Sequence, residues 1–359
     1  MLPNFHGHPG LPASMTPTRT PQPRRRYTML IAALLLTAAI AGLAAAIAWG
    51  GPKDIPPLAS INNPFKDVDY SNVPPAQRYT ARDGTSLAWH GYSPTGSTGG
   101  TGGTGGTDAS ASAPQRRVVL VHGSSARGQS NHVLAQALAA AGYAVASLDM
   151  RGHGASGPRG QAAYIGQMED DIEDFLRAVP HAGPQTLMGF SAGGGFALRF
   201  AGSARQGLFD RYVLLSPFLH HNAPTSRPDS GGWVSVGLPR MIAVTLINQF
   251  GITRWNHLPV LSFALNDVAR ELLTPRYSYT VATNFRPHND YQADIRNARG
   301  TICIVAGTDD ELFHADRFAD LFAQAGKPVP VTLVPGVNHM GLTLDAQAVA
   351  TVARQACPA

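Results

Sequence analysis

Gln185-Thr-Leu-Met-Gly-Phe-Ser-Ala-Gly-Gly-Gly-Phe-Ala-Leu198 reads as a short apolar strand, a sharp turn and the start of a helix. Its centre, Gly189-Phe-Ser-Ala-Gly193, is a G-x-S-x-G pentapeptide, and the strand-turn-helix setting gives that pattern chemical meaning. Such a turn forces the serine into a strained backbone conformation, so only small residues fit two positions before and after it. Gly189 and Gly193 meet that demand, while Ala192 and Gly194 leave room for a substrate to approach. Ser191 is thereby expected to stand above the strand ends at a helix N-terminus, where developing negative charge is favoured.

Outward from this turn the chain alternates strand and helix. Val118-Val-Leu-Val121 is a continuous apolar run typical of a strand buried on both faces. Residues 143–148, 212–216, 301–306 and 331–334 read as further strands, and 131–141, 169–179 and 345–356 as helices. Alternation of this kind implies an α/β fold: a mostly parallel, doubly wound sheet with helices on both faces and active residues at the strand C-terminal ends. Ahead of it, 77–82 and 85–92 form an antiparallel hairpin around Asp83-Gly84. Residues 95–114, rich in Thr and Gly, read as a loop insertion, and no Lys-Ser/Thr follows that would make it a phosphate cradle.

The rhythm breaks between 217 and 299. One helix (238–250) and no clear strand are legible there, and an excursion of that length is usually functional. It reads as a cap over the strand ends. Its Trp233, Trp255, Phe263 and Phe285 either line an apolar pocket or pack the cap on the domain. The α/β domain as a whole is expected to run over 76–359.

The N-terminal part is of another kind. Residues 1–26 are basic and rich in Pro, Gly and Thr, as in disordered segments. Arg24-Arg25-Arg26 then precede an uncharged apolar run over 27–50, long enough to cross a bilayer. The arginines should hold the N-terminus in the cytoplasm and place the rest outside, on the periplasmic side in a bacterium. A cleaved signal peptide is the rival, since Ala44-Ala-Ala46 and Ala46-Ile-Ala48 fit a small-x-small rule. The run exceeds the 7–15 residues of a usual signal core, which favours an uncleaved, single-pass anchor. Residues 51–75 read as a linker.

Composition excludes little else. The chain has 359 residues, 44% of them apolar, and a net charge of +5. Arg19 and Arg24 to Arg26 supply most of that charge, so the remainder is near neutral and gives no reason to expect nucleic acid as a partner. Two cysteines rule out a disulfide framework; Cys303, within an apolar strand, reads as a small buried filler.

A serine is a weak nucleophile until an oriented base takes its proton. Downstream, Val305-Ala-Gly-Thr-Asp-Asp-Glu311 ends a strand in three carboxylates, and Val334-Pro-Gly-Val-Asn-His-Met-Gly341 ends the last strand with His339. Serine, acid, histidine is the chain order of the triad on this fold. Asp310, three residues after Gly307, is the preferred acid, with Asp309 and Glu311 as turn or surface residues. An oxyanion hole would come from backbone amides: Leu120-Val-His-Gly-Ser-Ser125 follows the first core strand, so Ser124 can present its N–H beside that of Ala192. His122 reads as a structural residue that fixes this loop.

Together, His122-Gly123, Asp149-Met-Arg-Gly-His-Gly-Ala-Ser156, the Ser191 pentapeptide, Asp310 and His339 resemble the serine-hydrolase branch of the α/β-hydrolase superfamily. The D-x-R-G-H-G-x-S stretch is similar to that of monoacylglycerol lipases, lysophospholipases and serine aminopeptidase-like hydrolases. The resemblance covers about 77–356. It implies the α/β-hydrolase fold with nucleophile Ser191, acid Asp310, base His339 and oxyanion amides at Ser124 and Ala192, and no cofactor or metal. The first expectation is a membrane-anchored hydrolase of carboxylic esters, with monoacyl lipids among the substrates. An amide hydrolase of aminopeptidase type is the alternative, for which Asp229, Asp267 or Asp290 would have to clamp a substrate amine. A non-catalytic binding protein on the same fold is the third.

Overall fold

The computed structural model describes residues 23–95 and 115–355. The expected insertion after Thr95, Cys357 and residues 1–22 lie outside the described residues. The chain divides into two units, Met1–Ala45 and Ala46–Ala359. In the first, a helix starting at Pro23 carries no charged residue after Arg26. The stretch Tyr27–Trp49 of that helix is 23 residues long and apolar enough to cross a membrane.

The second unit is built on one sheet of eight strands. In chain order these are β1 (Ala76–Thr80), β2 (Ser86–Tyr92), β3 (Arg117–Val121), β4 (Ala144–Leu148), β5 (Gln185–Phe190) and β6 (Arg211–Leu215). After the three strands of a smaller sheet, β7 (Val234–Val236), β8 (Pro259–Phe263) and β9 (Arg276–Ser278), come β10 (Thr301–Gly307) and β11 (Val331–Val334). The spatial order of the large sheet is β1-β2-β4-β3-β5-β6-β10-β11, antiparallel only at β1/β2 and β2/β4. This is the α/β-hydrolase fold. Every residue of β3 is buried, as its unbroken apolar run requires.

Strand order reverses at β3, whose neighbours are β4 on one side and β5 on the other. Ligands of open α/β sheets bind in the crevice at such a switch point, beyond the strand C-termini. Val121 pairs with Gly189 there, so the loops that follow β3 and β5 leave the sheet side by side. Those two loops carry Gly123-Ser124 and Ser191.

The excursion between β6 and β10 differs from expectation. Its helix, Leu238–Asn248, matches, but β7, β8 and β9 form an antiparallel sheet where no strand was legible. Strands of three to five residues are too short for a period of two to stand out. Nor is 51–75 a free linker. It holds a helical turn, Ala59–Asn62, and a 3₁₀ turn, Pro64–Asp67. The buried Asn62 ties it to the excursion: Nδ2 donates to Ala264 O at 2.8 Å, and Oδ1 accepts the Asn266 amide at 2.9 Å. Farther along, His132 Nε2 lies 2.8 Å from Asn72 Oδ1. Cys303 is buried as expected but is disulfide-bonded, so it is more than an apolar filler.

Candidate active site

Ser191 sits between β5 and the helix Ala192–Ala201 with φ 55° and ψ −117°, a conformation that non-glycine residues rarely adopt. Strain of this type costs about 1–3 kcal/mol and persists only where the surroundings impose it. Three backbone hydrogen bonds do so. The Ser191 amide donates to Leu215 O at 2.9 Å, and its carbonyl accepts the amides of Gly195 and Phe218, each at 3.0 Å. The flanking glycines are demanded by contact. A Cβ on Gly189 would fall 2.0 Å from Gly193 O, and one on Gly193 would fall 2.4 Å from His122 O.

β10 and β11 supply the other two candidates. Asp310 follows β10 and is fully buried; His339 follows β11 and is 2% exposed. His339 Nδ1–H donates to Asp310 Oδ2 at 2.8 Å, which leaves Nε2 as the free ring nitrogen. Asp310 Oδ1 accepts the amides of Leu312 and Phe313, both at 2.9 Å. Burial alone would raise the Asp310 pKa. The charge and hydrogen bond of His339 and the Leu312 amide outweigh it, and the carboxyl is held below its usual range. Phe190 and Phe313 flank the His339 ring, with centroids 4.6 and 5.3 Å away.

The neighbouring acids separate clearly. Asp309 is exposed, and among the described residues its side chain accepts only the Thr308 hydroxyl. Glu311 is no mere surface residue: its Oε2 accepts the backbone amide of His339 at 2.9 Å. Sequence reasoning missed that role, and nothing in the sequence distinguishes a carboxylate that holds a backbone from one that faces water.

The loop after β3 is fixed from two sides. On the inside, Met150 N–H donates to His122 Nε2 at 3.2 Å, so Nδ1 carries the proton and donates to Gly123 O at 2.8 Å. Burial pushes the His122 pKa down to about 4, so the ring is neutral. From the excursion, Trp233 Nε1–H donates to Ser124 Oγ at 2.8 Å, and Ser125 exchanges hydrogen bonds with Thr274 at 2.7 and 2.9 Å. Ser125 itself has φ 66°. A Cβ on Gly123 would lie 3.4 Å from Ser191 Cβ, which measures how closely this loop passes the elbow. The Ser124 amide has no partner among the described residues, and Ala192, first in its helix, has no intrahelical acceptor.

The D-x-R-G-H-G-x-S stretch proves architectural. Asp149 accepts the amides of Gly128 and Ala155 at 2.7 and 2.8 Å. Arg151 forks onto Asp171 at 2.8 and 2.7 Å. Ser156 accepts the Ala88 amide at 2.8 Å.

Ser191, His339 and Ser124 open onto one cavity of about 310 Å³, within the range of small-molecule sites. Its wall is mainly apolar and includes Phe65, Trp233, Leu272 and Leu273, so the segment 51–75 and the excursion both contribute. Of the other aromatic candidates, Phe263 and Phe285 are packed inside, and Trp255 does not line it. Neither does Asp267 or Asp290; the latter caps the helix Tyr291–Asn297, and the Asp229 side chain lies outside the described ones.

Sheet order, elbow and the Asp310–His339 pair define an α/β hydrolase. Residues 112–345 match the family model described as serine aminopeptidase, S33, and the chain belongs to this hydrolase family. It is 34% identical over 110 residues to a monoacylglycerol lipase of Mycolicibacterium smegmatis; the match covers 29% of this chain and 38% of that relative's length. Among solved structures, a soluble variant of monoglyceride lipase from Saccharomyces cerevisiae, bound to a substrate analogue, superposes with a TM-score of 0.57 at 18% identity. That match covers 79% of this chain and 93% of the other. A thermophilic esterase from Thermogutta terrifontis gives 0.52 at 15% identity, over 78% and 97%. At such identities these two likenesses bear on the fold alone.

Proposed function

We propose that the chain is a serine hydrolase of carboxylic esters that acts through an acyl-enzyme on Ser191. The observation that carries this reading is the opening of Ser191 and His339 onto one apolar cavity, with His339 Nδ1 taken by Asp310. Nε2 would accept the Ser191 proton as Oγ attacks the ester carbonyl carbon. The tetrahedral oxyanion would be met by the Ser124 and Ala192 amides. Nε2 then returns the proton to the departing alkoxide as the acyl-enzyme forms. Water, deprotonated by the same nitrogen, releases the acid and restores Ser191.

Ester chemistry is favoured over the aminopeptidase alternative because no carboxylate lines the cavity among the described residues, so nothing there would clamp a substrate ammonium. The monoacylglycerol lipase relative and the apolar wall favour a single acyl chain. Leu238, Ile242 and Leu246 are exposed at four-residue spacing on one helix, with Phe250 exposed just beyond its end, a surface suited to a lipid phase. We place the chain in a membrane through 27–50, with 217–299 as a cap and the domain on the outer side. The disulfide-bonded Cys303 supports that side, since disulfides persist in oxidising compartments.

The test is to treat the full-length chain in nonionic detergent with a fluorophosphonate, and to assay p-nitrophenyl esters against aminoacyl anilides. Expected are labelling that Ser191→Ala abolishes and turnover of esters with apolar chains. Faster anilide cleavage would move the reading to an amide hydrolase. A folded protein with neither labelling nor turnover would leave the binding-protein reading.

A further inference from the structure

We propose that the cavity takes an ester carrying an anionic group, phosphate or carboxylate, bound between Lys66 and Arg127. This inference rests on the ester-hydrolase reading above and narrows its substrate class. Both residues line the Ser191 cavity. They come from separate elements: Lys66 from the 3₁₀ turn Pro64–Asp67, Arg127 from the loop after β3.

Lys66 is exposed and Arg127 half-buried, but each sits on backbone held in place. The Lys66 turn follows directly on Asn62, the buried residue that bonds the excursion through Ala264 and Asn266. The residue after Arg127, Gly128, is pinned by Asp149 Oδ1 at 2.7 Å.

Charge bookkeeping makes the pair unusual. No carboxylate lines the cavity, and neither cation has an ion-pair partner among the described residues. Elsewhere the arginines of this domain are heavily paired: Arg82, Arg151, Arg199 and Arg205 each hold an acid. Two cations without an ion-pair partner beside an apolar wall attract anions, and an anionic oxygen that reached both would accept charge-assisted hydrogen bonds. The remaining apolar wall suits the acyl chain. A neutral glyceride would use the chain subsite and leave both cations without a partner.

The test uses the full-length protein in nonionic detergent with three substrates of one acyl chain: a monoacylglycerol, its phosphate monoester and its succinate half-ester. For the wild type, kcat/KM for the anionic substrates should exceed that for the neutral one by about tenfold or more. The ratio should shrink toward one in a folded Lys66→Gln/Arg127→Gln protein, and also in high salt. A preference for both anions assigns charge as the feature read; a preference for the phosphate alone assigns that group. A wild-type ratio near one would overturn the inference while leaving ester hydrolysis intact, and so would a ratio that the double variant leaves unchanged. Failure to turn over any of the three, with no fluorophosphonate labelling, would overturn the ester reading and this inference together.

Discussion

The Tyr277 hydroxyl joins the Ser125 backbone to the His153 ring. It accepts the Ser125 N–H and donates to His153 Nε2 at 2.6 Å, while His153 Nδ1–H is held by Arg151 O at 3.0 Å. Tyr277 belongs to β9, outside the large sheet, whereas Ser125 follows directly on Ser124. The excursion thus grips the loop that would supply an oxyanion donor. Tyr277→Phe removes one oxygen and loosens that grip, leaving the Thr274 and Trp233 contacts. Its kcat for an ester should fall about tenfold or more, with KM nearly constant, because only the charged intermediate needs the loop in place. An unchanged kcat in a folded variant would reduce Tyr277 to a packing residue.

The three acids after β10 should rank by geometry. Asp310→Asn should lower kcat by about 10⁴, since the amide no longer holds the productive His339 tautomer. Glu311→Gln should cost less, because an amide oxygen can still accept the His339 N–H. Asp309→Asn should stay within about twofold, as for other surface changes. Steady-state ester hydrolysis by the three variants reads the order, and a severe Asp309 defect would move the acid by one position.

Stability should fall in mild acid. The buried His122 keeps a pKa of about 4 against an ordinary 6.5. Between those values the unfolded chain binds a proton that the folded one refuses. Stability therefore rises with pH across this window and is lost as pH drops through it, by about 1.4 kcal/mol per unit for one such group. Urea midpoints at pH 4.5, 5.5 and 6.5 should show a shallower slope for His122→Gln. Equal slopes would mean that other groups carry the acid sensitivity.

Gly193→Ala should be among the most damaging single changes to the elbow. Its new methyl would strike the His122 carbonyl, which is backbone and cannot swing aside. Overpacking of this sort costs about 1–3 kcal/mol or more, and the displaced His122–Gly123 segment should also slow fluorophosphonate labelling. A normal melting temperature with normal labelling would contradict the packing described for this turn.

The parts legible from the chain were those governed by local rules. The elbow could be read because steric demand on Gly189 and Gly193 acts within five residues, and the Asp310–His339 pair because strand ends converge by topology. What stayed hidden depended on contacts between distant segments. Glu311 looks like any turn carboxylate until the His339 amide is placed against it. Residues 51–75 looked like a tether because Asn62 finds its partners at Ala264 and Asn266, some two hundred positions away. β7 to β9 were missed since three short strands become a sheet only when they pair. The Asp149–Ser156 stretch was recognisable as a pattern, but that His153 reaches β9 through Tyr277 was not.

Arg240 donates to Ile47 O at 2.7 Å and to Ala48 O at 2.8 Å, and its own amide donates to Gly50 O at 3.2 Å. Ile47, Ala48 and Gly50 all belong to the second unit, which starts at Ala46, so these contacts lie within that unit. A version of the chain cut at residue 52 would leave the Arg240 guanidinium only Pro259 O, 2.9 Å away, of the acceptors it has here. A cut ahead of Ala46 would keep all of them, so the shorter deletion, not the longer one, should be the better behaved protein.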